Sequence, residues 1–139
     1  MTAYDPDNIF AKILRGEIPN HTVYEDETTL AFMDVMPQSD GHVLVIPKSE
    51  SRNLFDADEE ALKDLIIKTK MVARAVRSAL GADGVRLAQF NEAAAGQTVF
   101  HLHFHVIPVY EGTPLRPHTG QMADHGELAR LAEKIRAAL

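Results

Sequence analysis

Apolar residues recur along this chain with two different periods. Near the N-terminus Ile9, Phe10, Ile13 and Leu14 share one helical face, Asp7 or Asn8 stands at the cap position, and Gly16 follows the last turn. That pattern predicts a short amphipathic helix that must dock. Two strand-like runs come next, over 22–25 and 29–34, divided by a polar turn at 26–28. The turn at 37–41 leads into a third run, 42–46, whose unbroken Val43-Leu44-Val45-Ile46 reads as a well-buried strand ended by Pro47. From about 58 to 80, Leu62, Leu65, Ile66, Val72, Val76 and Leu80 return at helical spacing among charged residues, so one long helix should lie on the sheet. A fourth strand is expected over 85–90, a small-residue loop over 91–97, and a fifth strand over 98–107 that weakens at Pro108. Residues 111–123 carry Gly112, Pro114, Pro117 and Gly120 and read as a loop, after which Asp124 or His125 opens a last helix through Leu128, Leu131 and Ile135.

These elements predict an α+β domain: a roughly five-stranded antiparallel sheet, a long central helix and shorter terminal helices. Residues 1–139 should form a single domain, with 111–139 as a C-terminal loop and helix extension. The 45% apolar content supplies a core and argues against disorder. A net charge of −6 would repel polymeric nucleic acid but leaves room for a small phosphorylated ligand. With no apolar span of about 18 residues and no basic-then-apolar leader, the expected location is the cytoplasm, away from any membrane. The absence of cysteine removes disulfides and thiolate metal sites, so stability must come from the core and from any subunit interface.

Chemistry concentrates in one stretch. Along Thr98-Val99-Phe100-His101-Leu102-His103-Phe104-His105-Val106-Ile107, imidazoles alternate with apolar residues. On a strand, residues two apart lie on one face about 6.6 Å from each other, so His101, His103 and His105 should form a row while Leu102, Phe104 and Val106 pack behind it. Three rings in a row suggest proton handling or metal binding. A solvated outer strand face is the plainer alternative. Neither that nor a metal site accounts for Gly96-Gln97-Thr98 next door, where an amide, a hydroxyl and exposed backbone donors suit a phosphate oxygen.

The segment from His101 to Ile107 resembles the signature of the histidine triad family, His-φ-His-φ-His-φ-φ with φ apolar. The resemblance extends through Asn8-Ile9-Phe10-Ala11-Lys12-Ile13, Gly16-Glu17-Ile18-Pro19, Leu30-Ala31-Phe32-Met33-Asp34 and His42-Val43-Leu44-Val45-Ile46-Pro47-Lys48. It thus covers about residues 8–110 and is closest to the nucleotide-binding phosphoramidate hydrolases and their bacterial relatives. It implies that His103 attacks the α-phosphorus of a purine nucleotide or nucleotide conjugate to give a nucleotidyl-histidine that water resolves. His105 would donate to phosphoryl oxygens or to the leaving group, His101 would order the row, and His42 would be a fourth histidine relaying protons. Gln97 and Thr98 match phosphate-contacting positions, and Asp34 matches the acidic residue that accepts from both ribose hydroxyls. Ile9, Phe10, Ile13, Phe32 and Val35 match the pocket around the base. Asn91 stands near the family's asparagine position, although the loop can be aligned so that Phe90 takes that place.

The resemblance further implies a homodimer and a reaction that needs no cofactor and no metal. Where many bacterial relatives hold a structural zinc with cysteines and a histidine, this chain has Asp5, Asn8 and Glu50, so no zinc of that kind is expected. Beyond the triad it runs into Pro108-Val109-Tyr110, which leaves leaving-group preference open. The competing functions are a dinucleoside polyphosphate hydrolase using the same nucleophile, a nucleotide-sensing binding protein with little turnover, and a metal protein.

Overall fold

The computed structural model describes residues 3–118 and 120–139. Helix α1 (Ile9–Leu14) is capped by the Asn8 side chain, which accepts from the Ala11 N–H. Strands β1 (Thr22–Glu25), β2 (Thr29–Met33) and β3 (Val43–Pro47) follow as an antiparallel meander. Then come helix α2 (Glu59–Leu80), strand β4 (Gly84–Ala88), strand β5 (Phe104–Val109) and helix α3 (His125–Arg136). The five strands pair antiparallel in the order β1-β2-β3-β5-β4. This is the expected α+β architecture.

Each face of the sheet has its own core. Ala31, Met33, Val43 and Val45 meet α2 through Leu65, Val72 and Val76, and meet α3 through Leu128, Leu131 and Ile135. On the opposite face Leu30, Phe32, Leu44 and Ile46 are covered by α1, through Phe10 and Ile13, with Ile18 and Val99 packed at the margin. Because β2 and β3 are buried on both sides, their sequences run apolar without alternation. The six residues of α1 cannot cover the second face, and a cleft remains beside it. Gly41 turns the chain into β3 at φ +98, where any Cβ would lie 2.1 Å from a Leu80 methyl.

Several strand bounds depart from the sequence expectation, β2 ending at Met33 rather than 34 and β3 running over Val43–Pro47 rather than 42–46. The fifth strand was expected over 98–107 but pairs only from Phe104 to Val109, since β3 hands it no partner before Val45↔Phe104 and β4 none before Ala88↔His105. Pro108 does not weaken it. The β3 ladder stops at Val43↔Val106, and the Pro108 carbonyl instead accepts from the Ser39 hydroxyl at 2.6 Å, so no ladder bond is owed on that side. Strand β4 lies over 84–88 rather than 85–90, with Phe90 already in the loop. The C-terminal helix is less an extension than a wall of the main core, because Ile135 and Leu128 belong to the same cluster as the β2 and β3 side chains. Among the described residues, no helix is long and apolar enough to cross a membrane.

Candidate active site

The cleft lies where α1 leaves the sheet uncovered. Ile9, Phe10, Ile13, Phe32, Val35 and Leu44 make its apolar part, while Asp34, Thr98, His103, His105 and His118 supply polar groups. All five residues expected around the base therefore line one space. Phe10 packs edge-on against Phe32 at 5.4 Å and against the His103 ring at 4.9 Å, so one side chain fixes both the pocket floor and the plane of the His103 ring.

Hydrogen bonds settle the protonation of each ring. His103 donates from Nδ1 to the His101 carbonyl at 2.6 Å, which leaves Nε2 with its lone pair. The backbone N–H of Gln38 donates to His42 Nδ1 at 3.1 Å, so the His42 proton sits on Nε2 and is given to His105 Nδ1 at 3.0 Å. His105 in turn keeps its own proton on Nε2. His101 donates from Nε2 to the Pro47 carbonyl at 2.8 Å and accepts at Nδ1 from the Tyr4 hydroxyl at 2.6 Å. Burial pushes the imidazoles of His42 and His103 down to about 4 and that of His105 to about 3. These rings are neutral near pH 7, which suits one nucleophile and one hydrogen-bond donor side by side, 5.0 Å between ring centroids.

The row of three is only partly realised. His103 and His105 line the cleft, but His101 is fully buried and faces Tyr4 and Pro47 instead. Its ring replaces the ladder partner that Pro47 would otherwise have, which is a physical reason why the strand starts late. His42 lies behind His105, out of the cleft. Thr98 lines the cleft, whereas Gln97 is buried with its amide fully engaged: Nε2 donates to the carbonyls of Arg52 and Val99, and Oε1 accepts from Asn53 Nδ2 and the Glu92 N–H. Gln97 thus shapes the loop before Thr98. Asn91 is also outside the cleft, accepting from the Leu54 N–H at 2.9 Å and exchanging bonds with Gln89. Phe90 packs near the His105 ring at 5.7 Å.

Two groups escaped the sequence reading. His118, from the segment between β5 and α3, donates to Asp34 Oδ2 at 3.0 Å and lies edge-on to His105 at 5.1 Å. Its hydrogen bond to Asp34 raises its pKa, opposite to the buried rings. Asp34 is held down despite burial, because His118, His42 and the Met36 N–H all favour its charge. No periodicity marks a histidine inside a Gly/Pro-rich loop. The other is Glu92, whose φ of 76 is unusual for a residue with a Cβ; a two-point contact with Arg52 at 2.9 Å and a bond from Asn53 hold it there.

With that geometry in place, similarity to known proteins is informative. A profile of the HIT domain matches residues 15–112. A HIT-like protein from Bartonella henselae, described as involved in cell-cycle regulation and crystallised with an unknown ligand, superposes with a TM-score of 0.92 at 54% identity, over 99% of this chain and 100% of that one. A hypothetical histidine triad nucleotide-binding protein from Sulfolobus tokodaii gives a TM-score of 0.85 at 36% identity, over 93% and 89%. The adenylylsulfatase HINT3 of Arabidopsis thaliana is 39% identical over 102 residues, which is 73% of this chain and 52% of that protein.

Proposed function

This chain belongs to the HIT domain family, whose fold serves nucleotide-binding hydrolases and transferases, and from that membership we propose that it cleaves purine nucleoside phosphoramidates through a nucleotidyl intermediate on His103. The observation that carries this reading is the 2.6 Å bond from His103 Nδ1 to the His101 carbonyl, which leaves an unprotonated Nε2 on a ring that lines the cleft.

In the first step His103 Nε2 bonds to the α-phosphorus while the phosphorus–nitrogen bond of the substrate breaks, and the departing amine takes a proton from solvent, to which the attacking water of the second step returns one. His105 Nε2–H stabilises charge on a phosphoryl oxygen, and the Thr98 hydroxyl is placed to donate as well. In the second step water attacks phosphorus, the bond to His103 breaks, and the nucleoside monophosphate leaves. Asp34 accepts from the ribose hydroxyls, and the base lies against Ile9, Phe10, Ile13, Phe32 and Val35. The apolar wall beside a single carboxylate suits a flat heterocycle joined to a diol. The reaction as written draws on no cofactor and no metal. In this reading the protein acts as a homodimer, through the open β4 edge and the apolar side chains that α2 leaves bare, away from the cleft.

The test is direct. Adenosine 5′-phosphoramidate is mixed with the protein and the reaction quenched early; an adduct of adenylyl mass on His103 is expected, and His103→Ala should lower AMP release by several orders of magnitude. Wild-type release of AMP by the pure variant would overturn the reading. The name of the Arabidopsis relative makes adenylyl sulfate the natural second substrate to compare, and a dinucleoside polyphosphate the third. The phosphoramidate should be cleaved fastest of the three.

A further inference from the structure

Asp34, His42, His105 and His118 present ligand atoms that all lie within 4.8 Å of one another. Among the described residues this is the one convergence of three or more histidine and acidic side chains. It joins three parts of the chain: the end of β2, strand β5, and the strap 111–124 that returns to α3. The HIT profile stops at residue 112, so His118 is an addition to the matched region.

The hydrogen bonds decide which of the four atoms can be ligands. His42 Nδ1 already accepts from the Gln38 N–H, so its Nε2 carries a proton and offers no lone pair. His105 Nδ1, at which that proton is aimed, does have one. Asp34 Oδ2 is an ionised carboxylate oxygen 3.0 Å from His118 Nε2. The His118 side chain is 36% exposed, so its ring can pass its proton to Nδ1 on the solvent side and turn the Nε2 lone pair inward. The remaining donors are one carboxylate oxygen and two imidazole nitrogens, a borderline set that suits zinc, cobalt or nickel and leaves a fourth position open. His42 Nε2–H, 3.5 Å from Asp34 Oδ2, can then turn to that carboxylate as an outer hydrogen-bond donor.

We propose that Asp34, His105 and His118 form a site for a divalent transition-metal ion, and that the bound ion closes the nucleotide cleft. The backbone that carries His118 is fixed before the ion arrives. Arg116 donates its N–H to the Gln38 carbonyl at 2.7 Å and Ala123 donates to the Val35 carbonyl at 2.9 Å, so the strap is tied down on both sides of His118. Closure follows from one shared group: Asp34 is the ribose contact of the proposed reaction, and a carboxylate engaged by an ion is lost to the ribose hydroxyls, while His105 meets the ion at Nδ1 and keeps its Nε2–H. The closure half of the proposal therefore rests on that reading, while ion binding stands apart from it. The coupling must be reciprocal, so nucleotide and ion weaken each other by the same factor.

Cobalt(II) is the probe, titrated into the chelator-treated full chain and followed by its visible absorption and by calorimetry. One tight equivalent is expected for the wild type and for His125→Ala, which removes the exposed His21–His125 pair at 3.0 Å as a rival site. For His118→Ala, binding should weaken by more than the roughly 10–100-fold that an outer-shell change costs. Equal binding by wild type and His118→Ala, or loss in His125→Ala alone, overturns the site. Saturating AMP should raise the apparent Kd for cobalt at least 10-fold, an on-the-order-of estimate for coupled sites. If AMP binds and leaves cobalt affinity unchanged, closure is overturned; if AMP does not bind the metal-free protein at all, it is the nucleotide reading that fails, and the cobalt comparison still decides the site.

Discussion

A neutral imidazole can attack phosphorus only while its second nitrogen is occupied, and His103 meets that condition through a main-chain carbonyl rather than a carboxylate. The carbonyl belongs to His101, whose own ring is pinned by Pro47 and Tyr4. Tyr4→Phe removes the donor to a buried ring nitrogen, and the cost should be about 1–2 kcal/mol, read as a lower urea midpoint with unchanged m. A midpoint within error of wild type would mean that the Tyr4 hydroxyl contributes nothing to His101. Gln97 holds the neighbouring loop through four hydrogen bonds. Gln97→Ala strands the Glu92 N–H and the Asn53 amide, so stability and turnover should fall together, the former by about 2 kcal/mol; a loss of turnover at full stability would instead return Gln97 to the phosphate contact implied by its family position. The alternating imidazoles were legible in the sequence because strand periodicity displays them, whereas the apolar pocket came from the resemblance to the histidine triad family, helical spacing alone reading Phe10 and Ile13 as core. His118 and the Gln97 clamp were not legible, because their partners, Asp34 and Asn53, lie 84 and 44 residues away and only the folded chain brings them together.

At the scale of elements, the expected order of helices and strands is the observed one, and the differences sit where side chains compete with the ladder. Alternation in 98–103 reads as strand, yet the backbone there meets no strand, Leu102 donating its N–H to the Ser51 carbonyl of a loop at 2.9 Å, and pairing cannot be read from one segment alone. Helix α3 looks detachable in sequence because a Gly/Pro loop precedes it, yet Ile135 is fully buried against the core and the Arg136 guanidinium donates to the Thr22 carbonyl of β1. Ile135→Ala should therefore cost about 2–5 kcal/mol, a loss visible in thermal and urea unfolding; a change under about 0.5 kcal/mol would show that α3 is dispensable. The β1–β2 turn is tied to α2 in another way. Burial opposes the Asp26 charge, but Lys68 at 2.6 Å, the Tyr24 hydroxyl and the N–H groups of Thr28 and Thr29 outweigh it and hold its pKa well below the usual carboxylate value. A folded-state pKa below the unfolded one stabilises above the unfolded value of about 3.9 and is lost as pH falls through the folded one. Between pH 5 and pH 2, both chosen as round bounds of roughly that window, the wild type should lose more stability than Asp26→Asn, and parallel curves for the two would refute the assignment.

For the whole molecule, the two edges of the sheet are not equivalent. Strand β1 lies under α3, whereas β4 is an edge whose Leu87 is 46% exposed beside Lys70 and Arg74 of α2. Helix α2 also leaves Ile66 and Ile67 bare, at 44% and 64%. An edge strand with an exposed leucine next to a half-uncovered helix invites a second copy, since pairing β4 with its own symmetry mate would extend the sheet and bury those isoleucines in one step. The hydrophobic pattern of α2 hinted at nothing of this, because a residue's exposure depends on what the rest of the fold covers. A two-fold interface of this kind needs roughly 1,000 Å² or more of buried surface to persist at micromolar concentration, so a single charge at its centre should be decisive. Leu87→Lys places an ammonium on the open edge, where like charges from two copies would face each other. Sedimentation equilibrium should find wild-type dimers and Leu87→Lys monomers. An Ile67→Glu variant should act the same way if α2 shares the interface, and a dimer untouched by either change would put the contact elsewhere on the molecule. His103, His105, Asp34 and Thr98 all come from one chain. The Leu87→Lys monomer should therefore still form the adenylyl adduct, and its failure to do so would mean that the second subunit completes the cleft.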